Sequence, residues 1–327
     1  MQTLLIEVKR GSYPENIHRC HLTVVDREGK TIFKRGDENH FTCLRSSAKP
    51  LQAVPIMLNN LDKHYGLTEK EVAAFCGSLN GEPFQIEVVR SILQKAGVAE
   101  DFLKCGATYP SFKKAADELK LKGVKPAPIY HNCSAKHAGM LIVCQFKGYD
   151  KETYLKENHP LQKEIHEIVS DYAELKKDDI KLVTDGCGLP VFFMPLKNIA
   201  IAYKNLALKM ENIQSRVRRL LKAALDFPEM VGGTDRLCTS VIKNTNGKIF
   251  AKVGADGVYA AFNVNRMEAL AMKVEDGSAK AVQIAFVMAM EKIGWLNPSE
   301  FSLLEKYWKL PVKNSLGNVV GEIKVVF

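Results

Sequence analysis

The chain has 327 residues, 46% hydrophobic and 25% charged, which excludes a disordered, collagen-like or coiled-coil protein. No apolar window approaches the roughly 18 residues that a membrane-crossing helix requires, and the start, Met1 to Lys9, lacks the basic opening and long apolar run of a secretion signal. Forty-six Lys and Arg against 37 Asp and Glu leave a net charge of +9, but the basic residues are scattered and no nucleic-acid-binding motif accompanies them. A cytoplasmic protein with neither nucleic-acid nor membrane partners is expected. Eight cysteines without a Cys-x-x-Cys pair argue against a disulfide framework, a zinc ribbon and a thioredoxin-like motif.

The chain opens with strand patterns at Leu4 to Val8, Cys20 to Val25 and Thr31 to Phe33, the last two joined by the turn-like Asp26-Arg27-Glu28-Gly29-Lys30. Helical periodicity follows. Thr68 to Glu71 has the form of a capping box ahead of Val72-Ala73-Ala74-Phe75. Further helices are expected at Phe84 to Ala96, Phe112 to Leu121 with Ser111 as N-cap, Leu161 to Leu175, Pro195 to Leu208 and Glu211 to Asp226. The basic run Arg216 to Lys222 reads as the polar side of the last of these. A strand is expected at Ile180 to Val183. Strand signals return at Ser240 to Ile242, Lys248 to Val253 and Gly257 to Phe262; a helix at Ala279 to Ile293 precedes a hairpin-like Val319 to Val326. Strands at both ends with helices between predict one α/β unit with a mainly antiparallel sheet built from both chain ends. The approximate subdivision is 1–45 plus 235–327 for the sheet and 46–234 for the helices.

Five segments could carry chemistry. Arg45-Ser46-Ser47-Ala48-Lys49-Pro50 places a serine and a lysine three apart at a helix start, on one face, where a partly desolvated lysine can take the serine proton. Ser-x-x-Lys alone is weak evidence, since Ser111 with Lys114 and Ser240 with Lys243 match it too, and Ser46 also suits a plain N-cap. Cys76-Gly77-Ser78-Leu79-Asn80-Gly81-Glu82-Pro83 reads as a helix end and loop, or as a second hydroxyl near an acid. His131-Asn132-Cys133-Ser134-Ala135-Lys136-His137 is the densest chemical cluster. Thr184-Asp185-Gly186-Cys187-Gly188-Leu189-Pro190 puts a thiol between two glycines. Ala251-Lys252-Val253-Gly254-Ala255-Asp256-Gly257 enters a strand, and its Lys-x-Gly recurs elsewhere in the chain.

Together and in this order, the five segments resemble the rhizobial-type L-asparaginases, the asparaginase II family, over nearly the whole chain. The resemblance implies a fold similar to serine β-lactamases and penicillin-binding proteins, and hydrolysis of L-asparagine to L-aspartate and ammonia. It implies two Ser-Lys tandems, Ser46 with Lys49 and Ser78 with Lys252; the expected mechanism has Ser46 attack with neutral Lys49 as its base, while Ser78 and Lys252 relay protons or orient the amide. It also implies substrate-binding roles for Arg45, Glu82, Asn132 and Asp185, a zinc held by Cys133, Lys136 and Cys187, and a homodimer. Two residues depart from the family pattern: Leu79 where a histidine is expected, read here as removing a polar group from the pocket rim, and Ala135 where glycine is common, read as adding a methyl beside the metal ligands. The rivals are another serine acylase of the same fold, which needs no thiolates, and a non-catalytic zinc-binding protein.

Overall fold

The computed structural model describes residues 2–327. Its contacts divide the chain into two compact units: residues 1–47, 194–207 and 240–327, and residues 48–193 and 208–239.

The first unit is built on a seven-stranded sheet in which Ile323–Val326, Leu4–Arg10, Tyr13–Val25, Glu268–Val274, Val258–Asn263 and Ile249–Gly254 follow one another, and Thr31–Arg35 also pairs with Tyr13–Val25. The pairings with recorded register are antiparallel, so both chain ends share one sheet, as the pattern of strands predicts. Its central strands do not alternate. Cys20 to Val25 and Val258 to Asn263 are buried throughout, and at Val258 to Asn263 aromatic residues cover both faces. Phe250 and Phe262, partners in register, stack at 5.1 Å and meet Tyr203 of the helix Leu196–Glu211. Tyr259, pointing the other way, stacks at 4.2 Å on Phe286 of the helix Ala279–Lys292. A strand sandwiched between two helices loses the in-out hydrophobic alternation that a half-exposed strand shows.

Three expectations are corrected. Ser240 to Ile242 is not a strand but part of the helix Leu237–Asn244: Leu237 with Val241 and Cys238 with Ile242 are buried pairs four residues apart, a helical period that the β-branched run conceals. Val319 to Val326 is not a hairpin. Val319–Gly321 pairs with Val312–Lys313, whereas Ile323–Val326 joins Leu4–Arg10; the switch falls where Lys9 N donates to Glu322 O. Ser111 is not an N-cap either. Its hydroxyl donates to Asn80 O, and Phe112 takes the cap position of Lys113–Leu121.

The second unit is mainly helical, with a hairpin in which Lys181–Thr184 pairs with Pro190–Pro195. At its centre Ser134–Lys147 is buried without interruption from Ser134 to Cys144. Thr68 and Glu71 form the expected capping box ahead of Glu69–Ala74, and Glu71 does more than cap. Its buried carboxylate accepts from Thr68 N at 2.6 Å, Ser91 Oγ at 2.6 Å and Lys95 Nζ at 2.7 Å. Burial pushes its pKa up, but Lys95, Ser91 and Thr68 outweigh that and hold it below the usual carboxylate range. Glu71→Gln should therefore destabilise the protein by about 2 kcal/mol at neutral pH. A depressed carboxylate stabilises the fold above the unfolded pKa of about 4.3 and loses that stabilisation as pH falls through the folded value. Urea titrations of the two proteins should accordingly differ at pH 7, and the difference should shrink as the pH falls below the unfolded carboxyl value of about 4.3.

Candidate active site

The lysine of the first motif is built into the second unit. Ala48 ends a 3₁₀ turn running from Arg45, and Lys49 opens the helix Lys49–Gln52 with Pro50 in its first turn. Lys49 is fully buried. Its ammonium donates to Gly77 O at 2.6 Å, Asn132 O at 2.9 Å and Ser78 Oγ at 3.1 Å. Those three acceptors match the three protons of an ammonium group. Burial nevertheless lowers its pKa; the neighbouring Cys133 opposes that shift, and Lys136 adds to it.

Ser78 follows the helix Glu69–Ala74 on a segment with no regular structure. Its backbone N donates to Val231 O at 2.9 Å, so that N–H is committed and cannot serve an oxyanion. Gly77 allows this approach, since a Cβ there would lie 2.2 Å from Met230 O. Gln85 organises the rest of the loop. Its buried Oε1 accepts from the backbone N of Asn80, Gly81 and Glu82 at 2.9, 3.1 and 3.3 Å.

In the first unit, Ser46 is half-buried on the 3₁₀ turn, after Arg45 with φ of +48°. Arg45 donates to the carboxylate of Asp256. Lys252 is fully buried on the strand Ile249–Gly254 and donates to Val253 O at 3.4 Å. Two residues on, Gly254 accounts for the recurring Lys-x-Gly at this one place: a Cβ there would meet Leu44 O at 2.7 Å, so only glycine lets the residue before Arg45 pack against this strand.

The thiols come together in the second unit. Cys133 is the N-cap of Ser134–Lys147, whose first turn carries Lys136 and His137. Cys187 lies on the turn closed by Gly188 N to Asp185 O at 2.8 Å, with Gly188 at φ of +84°. Lys136 Nζ donates to Cys187 Sγ at 3.2 Å, and the two cysteines hydrogen-bond each other. The Cys187 hydrogen bond, against the cost of burial and with help from Lys136 and Lys49, holds Cys133 well below the ordinary thiol pKa. Cys187 is raised by the same partnership and by burial. Lys136 is held up by both thiols and Asp185, which outweigh its burial. Two sulfurs and an amine in one buried cluster fit a thiophilic metal such as zinc. Among the described residues no group of three or more His, Cys, Asp or Glu could hold a metal, so a metal at this cluster needs the lysine as its third protein ligand.

The other expected substrate contacts are placed as follows. Glu82 is buried and accepts from Thr234 N at 2.7 Å and Thr234 Oγ1 at 2.6 Å, which latches the 232–236 loop. Asn132 uses its carbonyl for Lys49 and its side-chain Oδ1 for the Cys133 thiol at 3.1 Å. Asp185 Oδ1 accepts from Gly186 N at 2.8 Å. Leu79 is buried, so this departure does not alter a rim; Ala135 is buried between Ser134 and Lys136. Motif reading includes His137 in its cluster without a role and misses Tyr154. His137 Nδ1 and the Tyr154 hydroxyl lie 2.6 Å apart, Tyr154 accepts from Lys104 N, and burial keeps His137 far below its usual pKa. Tyr154 stands in no motif, and only tertiary contact reveals it.

The sequence matches the family model described as L-asparaginase II over residues 6–325, and the chain belongs to that family. It matches no curated protein. Solved structures similar to it include a β-lactamase from Mycobacterium bovis, 12% identical with a TM-score of 0.41 and covering 88% of this chain and 95% of that one. Another is the D-alanine carboxypeptidase AmpC from Burkholderia cenocepacia, 13% identical with a TM-score of 0.39, covering 85% and 93%. Among the described residues no helix is long and apolar enough to cross a membrane.

Gly77→Ala should destabilise the protein by about 2–3 kcal/mol, because the methyl group must push the Ser78 segment off Met230 and Val231. Denaturant unfolding with an unchanged m-value checks this; wild-type stability would mean that the segment yields without cost.

Proposed function

We propose that the protein hydrolyses the side-chain amide of L-asparagine through a serine acyl-enzyme. One observation carries the reading: in a member of the L-asparaginase II family, a fully buried lysine, Lys49, hydrogen-bonds the Ser78 hydroxyl at 3.1 Å. Lysine is a base only when neutral, and burial drives Lys49 in that direction. Neutral Lys49 accepts the Ser78 proton while Oγ bonds to the amide carbon. The tetrahedral intermediate collapses as that proton passes to the amide nitrogen, and ammonia leaves. Water then adds to the aspartyl ester, returns the proton to Ser78 and releases L-aspartate. From the sequence, Ser46 is expected to attack. We assign the attack instead to Ser78, supported by its hydrogen bond with Lys49.

Zinc belongs to the same reading, held by Cys133, Lys136 and Cys187. When bound it would supply a Lewis-acid anchor for a polar group of the substrate. Lys136 must lose its proton to ligate, so binding is linked to proton release.

The direct test is ammonia release from L-asparagine, with L-glutamine and a chromogenic β-lactam as controls. L-Asparagine should be turned over, and L-glutamine at least about tenfold more slowly, since one methylene misplaces its amide. Preferential β-lactam hydrolysis would select the rival acylase. Ser78→Ala and Lys49→Met should each lower kcat by about a thousandfold or more, and the double variant should be little worse than either, as groups acting as a unit lose non-additively. Full activity in a folded Ser78→Ala protein would return the attack to Ser46.

Elemental analysis of protein purified without chelator should find about one zinc per chain. Cys133→Ser and Cys187→Ser should each abolish it, and the cobalt-loaded wild type should show thiolate-to-cobalt absorption that both variants lack. Zinc retained by both variants would exclude this cluster.

A further inference from the structure

Among the described residues Arg236 forms no ion pair, although the loop that carries it is tightly constructed. The loop is latched by Glu82, whose carboxylate takes the backbone N and hydroxyl of Thr234. It is latched again by Asn80, whose Nδ2 donates to Thr234 O at 3.2 Å, and by Thr239 Oγ1, which donates to Gly233 O at 2.8 Å. Gly233 sits at φ of +96°, and a Cβ there would lie 2.6 Å from Asn80 Nδ2 and 2.7 Å from Glu82 Oε1. Glycine is required on both counts.

At the end of this loop the exposed Arg236 donates from Nη1 to Asn80 Oδ1 at 3.2 Å. That single bond aims the guanidinium and leaves its remaining donors available. Asn80 stands two residues after Ser78, so their Cα atoms are at most about 7 Å apart, and both belong to a segment without helix or turn. The Val231 carbonyl that takes Ser78 N begins the same stretch that ends in Arg236. Loop and serine segment therefore run side by side, tied at Ser78, Asn80 and Glu82.

We infer that Arg236 binds the α-carboxylate of the amino-acid substrate and is the residue that selects an α-amino-acid amide over a simple amide. The inference rests on the amide-hydrolase reading above and deepens it. An L-asparagine carboxylate lies only a few bonds from its reacting amide carbon, so its partner must be a cation held close to the attacking serine. A guanidinium presents a planar pair of donors to a carboxylate, which a lysine ammonium cannot reproduce. Asn80 is the positioning residue: it touches Arg236 and fixes the fork's direction.

The test compares L-asparagine with β-alaninamide, the same amino amide without the α-carboxylate. In Arg236→Gln, kcat/KM for L-asparagine should fall about 10- to 100-fold while the rate on β-alaninamide is unchanged. Arg236→Lys should recover only part of the loss. Asn80→Ala should raise KM for L-asparagine more than it lowers kcat. Equal losses on both substrates, or no loss on L-asparagine, would overturn the assignment. Calorimetric titration with L-aspartate and β-alanine gives a readout independent of turnover: Arg236→Gln should weaken L-aspartate binding by a similar factor and leave β-alanine as in the wild type. Wild-type protein that fails to turn over L-asparagine counts against the proposed function, whereas L-aspartate binding unaffected by Arg236→Gln counts against the carboxylate site. The two failures are thus distinguishable.

Discussion

A buried lysine must be either neutral or surrounded, and much of the second unit's geometry follows from that requirement at Lys49. An ammonium group without partners in a protein interior is very costly. Here the carbonyls of Gly77 and Asn132 and the hydroxyl of Ser78 converge on Nζ. Two of the three belong to the Gly77-Ser78 step and the third to the segment before the central helix, so a single side chain draws two distant stretches together. Leu79 N completes that tie by donating to the same Asn132 carbonyl. The arrangement holds a charged lysine comfortably, yet burial makes its neutral form reachable. The proposed role of Lys49 as a base, gaining and losing a proton in each cycle, would need that balance.

The same balance governs the thiol cluster. Cys133 and Cys187 share a hydrogen bond, and Lys136 stands against Cys187. A Cys133 thiolate is favoured by the nearby Lys136 and Lys49 ammonium groups, and that attraction is stronger in a low-dielectric interior than in water. The pKa directions agree: Cys133 goes down, and Lys136 and Cys187 go up. Lys49 and Lys136 are both cationic when protonated, and each pulls Cys133 toward thiolate. The lysine and thiol motifs are thus one electrostatic assembly in the second unit, although they stand far apart in the sequence.

How far the sequence is legible depends on whether a signal is local. The capping box at Thr68 and Glu71 and the strands at Leu4 to Val8, Cys20 to Val25, Lys248 to Val253 and Gly257 to Phe262 are carried by neighbouring residues and appear close to where they are expected. Ser240 to Ile242 misleads because three residues are too few to separate a period of 2 from one of 3.6; the decisive partners, Leu237 and Cys238, lie just upstream. The switch at Glu322 is invisible because pairing partners far along the chain set it. Within the site, the motifs locate Lys49, Ser78, Cys133 and Lys136, but spacing pairs Lys49 with Ser46 and gives no hint of its bond to Ser78. A hydrogen bond between residues 29 apart leaves no periodic trace. Glu82 shows the opposite case, an acid next to a serine that invites a substrate role and is used to hold Thr234.

Leu79 shows how a departure from a family pattern changes meaning once its direction is known. Beside Ser78 it seems to belong to the pocket rim. It is instead buried, and its Cδ2 lies within 2.9 Å of where a Gly77 Cβ would stand. Ser78 and Asn80 bond Lys49 and Arg236, and Leu79 between them is buried. A histidine at this position in the same backbone would bring two ring nitrogens into an apolar setting and would need a new partner for at least one of them. Leucine removes that requirement and stabilises the segment by burying apolar surface. Its backbone N donates to the same Asn132 carbonyl that takes Lys49, so Leu79 is fixed by a group that also anchors the lysine beside Ser78.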